Sequence, residues 1–298
     1  MNRKVTIVLG ILTLIFSSLI GSVSAKTINK SPSSVKRVSF HSEALDKEMT
    51  LNIYLPEGYR QGKDYPVLYL LHKYQETQKW WFNVLYIQDK ADKLIKAGTI
   101  KPMIIVSPQH DNSWGINSAD VTGTWMGPPN IPDPMNEGRY EDYLVDEVVT
   151  YVDTNYATNP SRDSRFIGGA SLGGYAALHI GLRNPELFGK IGAHAPAIFV
   201  EDPWAPRKEW MYPTEQLRES RDPLRLALKE DVSATQVMLD IGDRDDANYI
   251  EAVKQLEKNL RQNKVKSVVT EIVPGGMHDA PYWASQLEDY LRFYGSDK

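Results

Sequence analysis

The chain contains no cysteine. That excludes disulfides, a thiolate nucleophile, a cysteine-held metal and a lipid anchor attached through cysteine. A fold without cross-links must be held by its core, and 298 residues are enough to build one. Histidine is scarce, with 6 in all, and no two have a metal-ligand spacing such as H-E-x-x-H. Neither a metal nor any other cofactor is expected. Positive charge is not in surplus: 34 Lys and Arg stand against 38 Asp and Glu, a formal net charge of −4. An acidic chain has no electrostatic case for binding nucleic acid or an anionic membrane surface. There is no internal repeat and no domain-separating linker. Long apolar runs are also lacking, with one exception at the start.

In that exception Arg3 and Lys4 precede an apolar run over residues 5–20, followed by Gly21-Ser22-Val23-Ser24-Ala25. A basic start, an apolar middle and a small-residue end predict a secretory signal over residues 1–25, cleaved after Ala25. An uncleaved membrane anchor is the alternative, and the small residues Val23 and Ala25 favour cleavage. The mature protein is then expected to be secreted or extracytoplasmic, away from the membrane and stable without disulfides. Residues 26–36, rich in Ser, Lys and Asn, read as a mobile lead-in. Residues 37–298 read as one domain.

Within that domain, residues 37–41 and 49–55 alternate apolar and polar side chains, as an antiparallel pair would. Short, continuous apolar runs follow at 66–72, 103–106, 166–168, 191–193 and 237–241, and 268–273 is a sixth candidate strand. Such runs suit strands covered on both faces, as in a parallel sheet. Helical spacing lies between them at 140–151, 175–183, 249–262 and 282–293. Strands alternating with helices predict an α/β fold with a mostly parallel central sheet flanked by helices. Residues 108–137 and 200–215 fit neither pattern. Their tryptophans, Trp114, Trp125, Trp204 and Trp210, predict packed loops rather than disorder.

The chemistry gathers around Gly169-Ala170-Ser171-Leu172-Gly173-Gly174, a G-x-S-x-G placed between a strand-like and a helix-like segment. A serine on so tight a turn exposes its hydroxyl, and the small residues around it let backbone come close. The helix that follows aims its first N–H groups at charge developing near the serine. A serine hydroxyl is a weak nucleophile and needs a base, which in turn needs an orienting acid. Asp245 follows one apolar run in Asp240-Ile241-Gly242-Asp243-Arg244-Asp245. His278 follows the next in Pro274-Gly275-Gly276-Met277-His278. Asp243, Asp246 and Asp279 are nearby alternatives for the acid.

With Tyr65-Pro66-Val67-Leu68-Tyr69-Leu70-Leu71-His72 upstream and Trp283 five residues past the histidine, the order of these motifs resembles an α/β-hydrolase of the esterase D, enterochelin-esterase-like and feruloyl-esterase family. The resemblance covers residues 47–294. It implies the α/β-hydrolase fold, Ser171 as nucleophile, Asp245 as acid and His278 as base. It also implies an oxyanion hole from the backbone N–H groups of Leu172 and Tyr74. Two positions depart from the family pattern. His72-Lys73-Tyr74-Gln75 stands where His-Gly-x-Gly is usual, and Met277 separates Gly276 from His278.

The expected activity is a secreted serine esterase acting on carboxylic esters, with small-molecule or polysaccharide acyl or feruloyl esters as substrates. The alternatives are an acyltransferase of the mycolyltransferase kind and a non-catalytic binding protein on the same scaffold, the latter motivated by Lys73 and Gln75. Trp81, Trp125 and Trp204 are candidate substrate walls, with Trp114 and Trp210 beside them, and plain core packing competes for each. His194, which follows a strand, is expected to be structural, and His72 to support the oxyanion loop.

Overall fold

The computed structural model describes residues 31–130, 133–201 and 205–296. The expected signal at residues 1–25 lies outside these residues, as do residues 26–30 of the expected lead-in. Among the described residues no helix is long and apolar enough to cross a membrane.

Among the described residues ten strands form, in chain order β1 (Ser34–Ser42), β2 (Lys47–Leu55), β3 (Val67–Leu71), β4 (Ile104–Pro108), β5 (Gly123–Trp125), β6 (Met135–Glu137), β7 (Arg165–Ala170), β8 (Lys190–His194), β9 (Gln236–Gly242) and β10 (Ser267–Val273). Eight of them make one sheet in the order β1-β2-β4-β3-β7-β8-β9-β10, and β5 and β6 form a separate hairpin. Pairing is antiparallel from β1 through β2 to β4 and parallel from there to β10. Strands β3, β4, β7 and β8 are buried along their whole length. This is why their apolar runs are continuous rather than alternating.

Two expectations need correction. The lead-in does not extend to residue 36: Ser34, Val35 and Lys36 pair with Leu55, Tyr54 and Ile53. A strand with a complete partner ladder leaves no reason for its first residues to stay free. And β10 is an edge strand with no buried residue, Val269 and Ile272 being exposed on opposite faces, so it is not enclosed on both sides.

The helices are α1 (Trp80–Asn83), α2 (Ile87–Lys96), α3 (Tyr140–Asp142), α4 (Val149–Asn155), α5 (Leu172–Arg183), α6 (Ala205–Met211), α7 (Glu215–Arg221), α8 (Pro223–Lys229), α9 (Ala247–Gln262) and α10 (Ala280–Gly295), with π-helical turns over Tyr143–Val148 joining α3 to α4. Helix α5 is buried from Leu172 to Leu182, as its nearly all-apolar sequence requires. Helix α9 buries one stripe, Ala252, Val253, Leu256 and Leu260, against the sheet edge region. Asp246 and Asp279 cap α9 and α10 by accepting the N–H groups of Asn248 and Tyr282. The segment 200–215, expected to be irregular, contains α6, and 108–137 contains the β5–β6 hairpin. The parallel strands put their carboxyl ends, and the loops that follow them, on one side of the sheet. In open α/β folds ligands gather at that side.

Candidate active site

Only Ser171 separates β7 from α5, so one residue must reverse the chain. Its backbone sits at φ 55°, ψ −117°. For a residue with a Cβ such a conformation costs about 1–3 kcal/mol and persists only when the surroundings enforce it. The enforcement is visible. Ser171 N–H donates to His194 O at 3.0 Å, and Ser171 O accepts from Tyr175 N–H at 3.0 Å and Ala197 N–H at 2.9 Å. A Cβ on Gly169 would lie 2.2 Å from Gly173 O, and one on Gly173 would lie 2.3 Å from Leu71 O and 2.5 Å from His72 O. The two glycines of G-x-S-x-G are thus where backbone meets backbone.

Ser171 Oγ lies 2.8 Å from His278 Nε2, and His278 Nδ1 lies 2.8 Å from Asp245 Oδ2. With Nδ1–H donating to the carboxylate, Nε2 is left to accept the serine proton. The Asp245 side chain is almost fully buried, at 1 % exposure, while the imidazole keeps 30 %. Asp245 Oδ1 accepts the N–H of Asp246, so the second oxygen is also fixed. The three alternative acids are occupied elsewhere. Asp243 accepts Gly275 N–H, and Asp246 and Asp279 are the helix caps already described. Met277 is 51 % exposed, so the additional residue before His278 turns outward and the imidazole still reaches the serine. The rings of Trp283 and Tyr249 flank His278, at 5.0 and 5.5 Å between centroids.

Tyr74 and Leu172 both line the cleft in front of Ser171. Among the described residues, neither backbone N–H has a protein acceptor. Leu172 N–H belongs to the first turn of α5, where the helix cannot satisfy it. Lys73 and Gln75 do not abolish the loop's shape. Gln75 adopts φ 58°, the left-handed conformation a glycine would take freely, and its N–H is tied to Asn112 Oδ1 at 2.8 Å. Lys73 is held near Glu76, Nζ to Oε1 3.7 Å.

Beneath this loop two buried histidines stack at 4.0 Å. His72 Nδ1–H donates to Lys73 O at 2.9 Å while its Nε2 accepts His110 N–H at 3.3 Å. His110 Nε2–H donates to His72 O at 3.2 Å. Burial pushes His72 down from 6.5 to about 4, and burial together with the neighbouring His72 pushes His110 well below its ordinary value. Both are therefore neutral in the fold at pH values where the unfolded chain binds their protons. Stability should be fully present above pH 6.5 and fall as the pH drops below it, because protons then bind the unfolded chain but not the buried pair. Thermal melts at pH 7, 6 and 5 check this, and His110→Phe should shallow the slope.

The cleft measures about 310 Å³ and is lined by Lys73, Tyr74, Gln75, Trp114, Asp133, Ser171, Leu172, Ala197, Arg207, Tyr249 and His278. Arg207 is bound to Asp133 through Nε and Nη2 at 3.1 and 3.0 Å, and its guanidinium lies over the rings of Trp114 and Phe199. Trp81 is not a substrate wall. It is fully buried, and its Nε1–H donates to Leu71 O at 3.1 Å. An indole that follows a central strand closely in sequence fills the core beside it. Trp125 is not a lining residue of the cleft either: on the β5–β6 hairpin it packs against Trp210 at 6.4 Å, because two half-buried indoles cover each other there. Trp204 lies outside the described residues. Trp114 does line the cleft. Arg207, Asp133 and Tyr249 carried no sequence signal, since charged residues in irregular stretches and a tyrosine early in a helix look like ordinary surface. A second hollow, about 400 Å³, opens at the amino ends of the strands around Phe166, Lys190 and Gln236 and contains none of these groups.

The esterase family model matches residues 42–294. The chain is 35% identical over 167 residues to an endo-1,4-beta-xylanase/feruloyl esterase of Xylanibacter ruminicola, covering 53% of this chain and 21% of that protein. It is 29% identical over 167 residues to an esterase of Mycobacterium tuberculosis, covering 55% and 32%. It thus spans about a fifth to a third of the length of these curated relatives. Among solved structures, a ferulic acid esterase superposes with a TM-score of 0.71 at 24% identity, covering 89% of this chain and 98% of the other. A ferulic acid esterase from Anaeromyces mucronatus superposes with a TM-score of 0.66 at 22% identity, covering 90% and 91%. A match that runs from the end of β1 into the last helix, on this sheet order, leads to one statement of kinship: the chain belongs to the esterase family and carries the α/β-hydrolase fold.

Proposed function

We propose that this protein is a secreted serine esterase that cleaves carboxylic esters through an acyl-enzyme on Ser171. The observation that carries the reading is the continuous hydrogen-bonded line from Ser171 Oγ through His278 to Asp245, at 2.8 Å for each link. His278 Nε2 takes the hydroxyl proton as Oγ attacks the ester carbonyl. Asp245 holds the Nδ1–H tautomer and stabilises the imidazolium that forms. The tetrahedral oxyanion is received by Leu172 N–H and Tyr74 N–H, which are in place before charge develops. The imidazolium then protonates the leaving alcohol, and water repeats the sequence on the acyl-enzyme.

Trp114, Tyr249 and the Arg207–Asp133 pair line the cleft with both aromatic and charged groups, the guanidinium lying over the Trp114 ring. That suits a flat, partly apolar acyl group joined to a hydrophilic alcohol. Relatives named for feruloyl ester cleavage, one of them solved with ferulic acid, support hydroxycinnamoyl esters of polysaccharides as the substrate class. The test is a panel of p-nitrophenyl acetate, methyl ferulate, feruloylated arabinoxylan oligosaccharides and acetylated xylan. Release of ferulate with a higher kcat/KM than acetate supports the substrate class. Turnover of acetate esters alone would redirect it, and no turnover of any ester would remove the reading. Secretion is checked by the amino terminus of the exported protein, expected at Lys26.

A further inference from the structure

We propose that Asp240 is a positioning residue, a buried carboxylate that fixes the turn of the nucleophile and the loop of the base relative to each other. The inference rests on the roles given above to Ser171 and His278. Asp240, in β9, and His194, at the end of β8, are both fully buried. Asp240 Oδ2 accepts His194 Nδ1–H at 2.6 Å. Its Oδ1 accepts the hydroxyls of Tyr282 at 2.6 Å and Tyr290 at 2.8 Å. His194 Nε2 in turn meets the hydroxyl of Tyr294 at 3.1 Å. One carboxylate therefore ties a strand end to two tyrosines of α10, and through His194 to a third.

Both ends of that tie reach the reacting groups. On the strand side, His194 O accepts the N–H of Ser171 at 3.0 Å, and Asp240 O accepts Ala195 N–H at 2.7 Å, so the elbow hangs from this pair. On the helix side, Tyr282 is four residues past His278, and its amide N–H donates to Asp279 Oδ1 at 3.0 Å, at the cap where the His278 loop enters α10. Trp283 links the two sides. Its Nε1–H donates to His194 O at 3.1 Å, and its ring stands edge-on to the His278 imidazole. Asp240 is not among the residues lining the cleft.

Packing alone would fill this space as well as a carboxylate does, and burying a charge is costly unless every acceptor position is satisfied. What a carboxylate adds is direction. Short charge-assisted bonds fix where α10 sits along its axis, whereas apolar contacts tolerate sliding. The Ser171–His278 contact depends on that axial position, and a displacement of about 1 Å can cost on the order of a hundredfold in rate.

The experiment compares Tyr282→Phe, which deletes one hydroxyl without changing shape, with Asp240→Asn, which keeps the shape and weakens every bond at the site. A fluorophosphonate titration counts reactive serines, so that kcat is expressed per functional site. We expect kcat per titrated serine to fall about tenfold in Tyr282→Phe and about a hundredfold in Asp240→Asn, with KM within about twofold of the parent. The double variant should fall by less than the product of the two single effects, since the bond lost in Tyr282→Phe is one of those weakened in Asp240→Asn. Unchanged kcat per titrated serine in Tyr282→Phe, with only a lower melting temperature, overturns the proposal and leaves the network a core filler. Tyr282→Phe decides the matter alone if Asp240→Asn does not fold. A parent protein that cannot be titrated at all would instead sink the reading of Ser171 itself.

Discussion

Ser171→Ala lowers kcat for an activated ester such as p-nitrophenyl acetate by about 10⁴–10⁶-fold while the protein stays folded: this is the largest effect expected. The serine, histidine and acid act as a unit, so losing the nucleophile removes nearly all that the three contribute, and only the oxyanion donors and substrate binding remain. The change in stability is small by comparison. Alanine keeps a Cβ in the strained φ 55° backbone and gives up one hydrogen bond to His278, worth about 1 kcal/mol. Ser171→Gly separates strain from chemistry. It is equally inactive, but it relieves a backbone that costs about 1–3 kcal/mol and should melt above the alanine variant. Initial rates, thermal melts and peptide mapping of a fluorophosphonate adduct check the set. An adduct on a different serine, or turnover surviving in Ser171→Ala, would discard Ser171 as the nucleophile.

Gly173→Ala is the second large effect, and it acts without touching a reacting atom. The added methyl would stand 2.3 Å from Leu71 O and 2.5 Å from His72 O, and backbone carbonyls cannot swing aside as a flexible side chain could. Either α5 moves away from the end of β3, or the His72–Gln75 loop is displaced. Overpacking of this kind costs about 1–3 kcal/mol, and more where backbone must yield. Both routes separate Leu172 N–H from Tyr74 N–H, the two donors assigned to the oxyanion. Loss of one such donor typically lowers kcat by about 10²–10³-fold. The expected result is therefore a lower melting temperature together with a kcat reduced at least a hundredfold per folded molecule. A variant that folds normally and turns over at the parent rate would show that the close approach of α5 to β3 is not needed for the oxyanion site.

Much of the fold is legible in the chain because its local demands are met locally. The apolar runs over β3, β4, β7, β8 and β9 are continuous since those strands are covered on both faces, and periodicity records that directly. The same reading extends too far at β10, where Thr270 and Glu271 interrupt the apolar residues and the strand lies at an edge. A run of side chains says what a strand can bury, not which neighbour will cover it. Helices α6 and α7 follow the same logic in reverse: short and charged, they lack the long apolar stripe that announces α9.

At the site, glycine placement around Ser171 is local information, because the turn forbids a Cβ wherever it brings backbone against backbone. His278 is readable for a similar reason, as the histidine after the last parallel strand. The choice among Asp243, Asp245, Asp246 and Asp279 is different. All four are aspartates in loops, and only the packing of the loops after β9 and β10 gives one of them to the imidazole and the others to Gly275 and two helix caps. Tryptophans are less legible still. Trp81 and Trp114 carry the same apolar bulk, yet one fills the core under β3 and the other faces the cleft.

The sequence by itself determined the order of strands and helices, the strained serine turn and the residues able to serve as base and acid, since each follows from the backbone conformation or burial that a short segment requires. Only the tertiary structure decided which acid meets the base, which aromatic rings line the cleft, and that Asp240 and His194 join the serine's turn to the last helix. Those pairings span tens of residues along the chain, and they are set by how the layers pack rather than by any local preference.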